Sequence, residues 1–83
     1  MQRINIIEQR LQQAFSPVQL EVIDDSHKHK GHAGSRGGAG HYTVIISAKC
    51  FQNLTRIEAH RKIYELFADL IPEQIHALQI KIV

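Results

Sequence analysis

Apolar residues recur at helical spacing close to the N-terminus. They are Ile4, Ile7, Leu11, Ala14 and Phe15. On a helix of 3.6 residues per turn these positions form one stripe, and the polar residues between them face away. Ser16-Pro17 ends the pattern, because the residue before a proline disfavours helical geometry. The pattern predicts an amphipathic first helix.

Three later segments show the alternation of apolar and polar residues that is typical of strands. The first runs from Leu20 to Asp24, the second from Tyr42 to Ser47, and the third from Leu78 to the C-terminus. The sequence therefore predicts three short strands.

A second helix is predicted between the last two strands. Thr55 and Glu58 have the spacing of a capping box, in which each side chain bonds to the backbone N–H of the other residue. An apolar stripe follows at Ile57, Ile63, Tyr64, Phe67, Leu70 and Ile71. Pro72 is expected to close this helix.

The element order is helix, strand, strand, helix, strand. It predicts an α+β fold in which both helices pack on one face of a three-stranded sheet. A chain of 83 residues builds one core, so residues 1–83 are expected to form a single domain.

Composition excludes several classes of protein. With 43% hydrophobic and 22% charged residues, the chain is typical of globular proteins. It has neither the roughly 20-residue apolar run of a membrane helix nor an N-terminal secretory signal, so we expect a cytoplasmic protein.

The only cysteine is Cys50, which excludes an internal disulfide and a dithiol redox role. We expect it to be a small buried apolar residue beside Phe51. No motif supplies a nucleophile with an oriented base. These observations predict a binding module and not an enzyme.

The segment between the first two strands, residues 25–40, is unusual. It contains all five glycines and, within the run Ser26–His32, the histidines His27, His29 and His32. Imidazoles at such spacings can bind a borderline-soft metal, although a solvated polar loop is the equally weighted alternative. At about 16 residues the loop exceeds the usual length of structureless connections, which marks it as functional or mobile.

The second helix carries a further histidine and a group of cations. His60 falls between Ile57 and Tyr64 on the apolar stripe, where a packed core histidine is the commoner interpretation and a surface ligand the alternative. Arg56, Arg61 and Lys62 lie nearby and could bind an anion or form an ordinary solvated face. The net charge of +2 does not decide between these interpretations.

Gly34-Ser35-Arg36-Gly37 matches the GxxG clamp with which KH domains hold a nucleic-acid backbone. Here it lies between two strands, whereas the clamp joins two helices. We interpret these glycines as a source of loop flexibility.

The chain resembles the BolA family over nearly its whole length. The resemblance rests on several motifs in the correct order and spacing. They are Leu20-Glu21-Val22, Asp25-Ser26-His27-x-His29, His41-Tyr42-x-Val44, Ser47-Ala48-Lys49-x-Phe51, His60-Arg61-x-x-Tyr64 and Ile75-His76-Ala77-Leu78. The chain departs from the family at Asn53, where glycine is common, and at Ala59, where arginine is common.

The resemblance implies a class II KH-like fold with an additional short helix at about Lys49 to Phe51. It also implies a monothiol glutaredoxin as partner and a [2Fe–2S] cluster shared with the glutaredoxin and glutathione. No cofactor is expected in the isolated chain. His60 matches the family's invariant-type histidine and is the first expected ligand. The second is expected from the loop, in the order His29, His32, His27, while structural roles are expected for His41 and His76.

The resemblance implies an alternative function as well. Bacterial BolA-like proteins are described as stress-responsive transcriptional regulators that bind DNA. The residues that could form a basic surface for DNA are Arg56, Arg61, Lys62, Lys28, Lys30 and Arg36. Alone, the chain is expected to be a monomer or a weak homodimer without membrane association.

Overall fold

The computed structural model of the chain describes residues 2–26 and 40–83. Helix α1 spans Arg3–Phe15 and is followed by strands β1 (Gln19–Asp24) and β2 (Gly40–Ser47). A short 3₁₀ helix at Lys49–Phe51 precedes helix α2 (Arg56–Leu66) and strand β3 (Ile75–Ile82). The predicted element order, including the short additional helix, is confirmed.

The three strands form one mixed sheet in the order β1-β2-β3. Strand β2 lies in the centre, antiparallel to β1 and parallel to β3. A parallel pair requires a crossover connection, and α2 supplies it. The start of β2 therefore lies beside the start of β3. The β1–β2 connection begins and ends at this end of the sheet.

Both helices pack on the same face of the sheet. Tyr42, Val44 and Ile46 alternate along β2, and all three belong to the buried cluster that includes Ile7 of α1 and Ile63 of α2. The prediction that the helices share one face is confirmed. The intervening residues of β2, beginning with His41 and Thr43, consequently lie on the opposite face.

Helix α1 follows the predicted pattern closely. Ile7 and Leu11 are fully buried, whereas Ala14 is exposed. Ser16 caps the end of the helix in a left-handed conformation with φ 43°. Its N–H donates a hydrogen bond to the carbonyl oxygen of Gln12. The predicted stop is confirmed.

Helix α2 differs from its prediction in length. It begins with the expected capping box between Thr55 and Glu58, but it ends at Leu66 and not at Pro72. From Phe67 to Gln74 the chain forms successive turns, in which the N–H groups of Phe67 and Leu70 donate to the carbonyl oxygens three residues earlier. These turns bury Phe67 and Leu70, so the apolar pattern that suggested more helix serves a tighter connection to β3.

The buried stripe of α2 also differs from the prediction. Its members are Ala59, Ile63 and Phe67, which recur at intervals of four residues. Ile57 is 67% exposed and Tyr64 42% exposed. The predicted stripe was therefore rotated toward Ile57, and His60 lies at the margin of the buried stripe.

The expectation of a buried Cys50 was wrong, because its side chain is exposed. In the short 3₁₀ helix, Phe51 and the preceding Ala48 point into the core. Cys50 faces outward, with Sγ 3.8 Å from the carbonyl oxygen of Phe15.

Candidate functional site at the base of the long loop

The two ends of the β1–β2 connection are held together by hydrogen bonds. The N–H of Asp25 donates to the carbonyl oxygen of His41 at 2.7 Å. The N–H of His41 donates to Oγ of Ser26 at 3.1 Å, and Thr43 donates its hydroxyl hydrogen to the Asp25 carboxylate. We call Asp25, Ser26, Gly40 and His41 the loop base. The connection therefore starts and ends at a fixed place on the sheet.

His76 lies beside the loop base because of an irregularity in the sheet. Gly40 pairs with Ile75 but His41 pairs with Ala77, so His76 is an additional residue in β3 without a partner in the register. Such bulges redirect side chains and are frequent next to functional sites. The His76 side chain is exposed, and its ring centre is 5.0 Å from that of His41, with the ring planes inclined by 52°.

His41 and His76 were expected to have structural roles only. His41, at 7% exposure, fits that expectation, whereas His76 combines exposure with a position next to the loop base. The signal in the sequence was the interruption of alternation at His76-Ala77 before Leu78, because a bulged residue breaks the two-residue period.

His60 lies elsewhere on the fold. It is partly buried on α2, and its Nε2 atom is enclosed without a hydrogen-bond partner among the described residues. One turn later, the Tyr64 hydroxyl donates to the carbonyl oxygen of Leu78 at 2.5 Å. Because α2 runs from the end of β2 back toward the start of β3, His60 is on the side of Tyr64 that is remote from the loop base.

The other histidines of the predicted site, His27, His29 and His32, lie outside the described residues. Within the described ranges 2–26 and 40–83, no group of three or more His, Cys, Asp or Glu side chains is arranged to hold a metal ion. Imidazole nitrogens are suitable donors for an iron–sulfur cluster. The exposed His76 beside the loop base therefore fits the donor type that such a group requires.

The predicted basic residues of α2 are all exposed. Arg56, Arg61 and Lys62 lie on the surface of the helix. Glu58 is among them, and its pKa is lowered mainly by hydrogen bonds from Thr55 and further by the charges of Arg61 and Lys62. The other predicted basic residues, Lys28, Lys30 and Arg36, and the GxxG motif lie outside the described residues.

No helix in residues 2–26 and 40–83 combines the length and the hydrophobicity that crossing a bilayer requires.

Comparison with known proteins identifies the family. The model of the family described as BolA-like protein matches residues 11–83. The chain is 38% identical over 72 residues to the DNA-binding transcriptional regulator BolA of Escherichia coli, covering 87% of this chain and 66% of the relative. It is 39% identical over 79 residues to SufE-like protein 1 of Arabidopsis thaliana, covering 89% of this chain but only 21% of that protein.

The fold agrees with these sequence matches. The solved BolA domain of SufE1 from Arabidopsis thaliana aligns with a TM-score of 0.85 and 33% identity, covering 99% of this chain and 91% of the domain. Family model, relatives and fold agree, and the chain belongs to the BolA-like protein family.

Proposed function

We propose that this chain pairs with a monothiol glutaredoxin and supplies imidazole ligands to a [2Fe–2S] cluster shared by the two proteins. The observation that carries the proposal is the exposed, bulged His76 next to the base of a loop that contains three further histidines. Family resemblance suggests the partner and the cluster, and the exposure of His76 supports it over His60 as the ligand from the described residues.

His76 is the better candidate ligand among the residues that the structure describes. A ligand must present a nitrogen to a group held partly by another molecule, and the His76 side chain is exposed. His60, which the resemblance favours, has its Nε2 enclosed and lies away from the loop base. His29, followed by His32 and His27, remains the candidate second ligand.

The donor set fits a shared cluster. A [2Fe–2S] cluster takes four ligands, usually thiolates, and histidines replace two of them in Rieske-type centres. Cys50, the chain's one cysteine, follows the far end of β2 from the loop base. When bound, the cluster would supply electron-transfer or cluster-transfer chemistry, and this chain would contribute neutral imidazoles that hold and orient it.

Imidazole ligation predicts a pH dependence. Only the neutral ring binds a metal, so protonation competes with ligation. We expect cluster sharing to weaken as the solution is acidified, because protonated imidazole has no free lone pair for iron. A shared cluster that is equally stable at pH 5 would contradict histidine ligation.

The proposal can be tested by titrating a monothiol glutaredoxin that holds its [2Fe–2S] cluster with this protein in the presence of glutathione. Visible absorption and circular dichroism are recorded for wild type, His76→Ala, His60→Ala and His29→Ala. We expect wild type and His60→Ala to produce a new saturable spectrum and His76→Ala to fail. If His60→Ala loses the new spectrum and His76→Ala keeps it, the ligand is His60 on α2. If wild type itself produces no new spectrum, the proposal is refuted.

DNA binding is the second candidate function. The exposed Arg56, Arg61 and Lys62 on α2 favour it, as does the similarity to a relative named as a DNA-binding regulator. Each phosphate contact contributes a slope of about −0.9 in a plot of log Kobs against log salt. We expect any binding that uses these cations to lose most of its slope in an Arg56→Gln, Arg61→Gln, Lys62→Gln variant but not in Lys81→Gln, a cation on β3.

A further inference from the structure

We infer that Arg3, Gly40 and Tyr42 act together as a latch that positions His76 by fixing the carbonyl of Gln74, two residues before it. The inference rests on the proposed role of His76 and adds positioning residues from two other elements. We call these three residues the Gln74 latch.

Two donors from distant parts of the chain converge on one acceptor. Nη1 of Arg3, in the first turn of α1, donates to the Gln74 carbonyl oxygen at 2.7 Å. The N–H of Gly40, at the start of β2, donates to the same oxygen at 3.0 Å. A carbonyl oxygen has two lone pairs and can accept both. The chain just before β3 is thus tied to α1 and to β2 at one atom.

Gly40 is required here by the close approach of Tyr42. A Cβ atom at position 40 would lie 2.4 to 2.6 Å from Cε2, Cζ and the hydroxyl oxygen of Tyr42, which is far inside van der Waals contact. The ring is 5% exposed and forms part of the core. A side chain at position 40 would therefore displace the ring or the start of β2, and with it the Gly40 N–H that holds Gln74.

The guanidinium of Arg3 also lies against the Tyr42 hydroxyl. Burial raises the pKa of Tyr42, and the charge of Arg3 and a hydrogen bond with it act in the opposite direction. Arg3 thus contacts both the ring that excludes a Cβ at Gly40 and the carbonyl that Gly40 binds. The three residues form one connected unit and not three separate contacts.

The latch holds one side of the bulge that presents His76. Ile75, immediately after Gln74, is fully buried and pairs with Gly40, while Ala77 pairs with His41 on the other side. His76 therefore lies between two residues, Ile75 and Ala77, whose positions are fixed by pairing with β2. Without the latch, Gly40 and Gln74 lose the bond that sets their separation, and the bulge can relax into regular pairing, which would turn the His76 side chain away from the loop base.

The experiment compares Arg3→Met, Arg3→Lys and Arg10→Met. Arg3→Met removes the donors and keeps an unbranched side chain, whereas Arg3→Lys retains a charged donor. Arg10→Met makes the same change in the C-terminal half of α1. Histidine ring resonances and the nuclear Overhauser effect between His41 and His76 are measured in the apo protein. Cluster sharing with the glutaredoxin is then titrated for each variant.

We expect Arg3→Met to shift the His76 and His41 ring signals, to reduce their mutual Overhauser effect, and to weaken cluster sharing roughly 10-fold, as loss of outer-shell support does in metal sites. Arg3→Lys should recover part of both effects, and Arg10→Met should alter stability alone. Unchanged rings in Arg3→Met would overturn the latch whether or not wild type shares a cluster. If wild type shares none, altered rings would still support the latch while the proposed function fails.

Discussion

Arg10 and Asp69 form a two-point ion pair that joins α1 to the segment after α2. Nη1 of Arg10 donates to Oδ1 of Asp69 at 2.7 Å, and Nη2 donates to Oδ2 at 3.0 Å. Nη1 also donates to the carbonyl oxygen of Leu66 at 3.0 Å. This arrangement satisfies a carbonyl at the end of α2, where intrahelical partners are missing, and fixes α1 against it.

The ion pair predicts that part of the stability depends on pH. The hydrogen bond from Arg10 lowers the pKa of Asp69. A carboxylate with a lowered pKa in the folded state adds stability that is complete above its unfolded value of about 3.9 and is lost as the pH falls through the folded value. We expect Asp69→Asn to be less stable than wild type at pH 7, with the difference shrinking as the pH falls below the unfolded value of about 3.9.

Urea denaturation across this pH range measures the effect. Because the Asp69 side chain is 61% exposed, the difference at pH 7 should also shrink in about 1 M salt. Glu73→Gln, at an exposed position nearby, is the control and should show a smaller change. A difference between Asp69→Asn and wild type that persists unchanged at pH 2.5 would contradict the ion-pair explanation.

The same substitution at two isoleucines of α2 should change the stability by very different amounts. Ile63 is fully buried, whereas Ile57 is 67% exposed. Ile63→Ala removes packed methyl groups and should lower the free energy of unfolding by about 2 to 5 kcal/mol. Ile57→Ala should change it by no more than about 0.5 kcal/mol. Chemical denaturation of both variants checks the orientation of the helix, and equal losses would contradict it.

The Tyr64 hydroxyl should stabilise the fold by tying α2 to strand β3. It donates to the carbonyl oxygen of Leu78 on β3, a strand that pairs only with β2 among the described residues. Tyr64→Phe keeps the ring and removes the donor, so we expect a loss of about 1 kcal/mol and faster amide exchange in β3. Unchanged stability together with unchanged exchange would mean that solvent replaces this bond without loss.

The fold was largely predictable because its elements carry strong local signals. The Thr55 capping box, the Ser16-Pro17 stop and the alternation along β2 each act within a few residues. The end of helix α2 was predicted too late, because Phe67 and Leu70 continue the apolar pattern although they lie in turns. Sequence periodicity does not distinguish these two ways of burying them.

The proposed site was harder to predict because it depends on register. His76 has its position only because β3 gains one residue against Gly40 and His41, and that irregularity is a tertiary property. The family resemblance drew attention to His60, whereas its helical spacing favoured a packed core histidine, and neither reveals which ring nitrogen is enclosed. Gly40 and Arg3 carry no signal of their own, since their importance arises where α1, β2 and the Gln74 turn meet.

Cys50 should take no part in cluster sharing although it is the only thiol of the chain. It follows the end of β2, whereas the loop base is at the start of β2, and an eight-residue strand separates them by roughly 23 Å. We expect Cys50→Ser to leave the spectrum of the shared cluster unchanged, in contrast to His76→Ala. Because the side chain is exposed, its thiol should react with an aromatic disulfide in the folded protein at a rate within about 10-fold of that in urea. Loss of the spectrum in Cys50→Ser would place this end of the sheet in the interface and contradict the proposal that the cluster binds beside the loop base. Protection of the thiol in the folded protein would contradict the exposure of the Cys50 side chain.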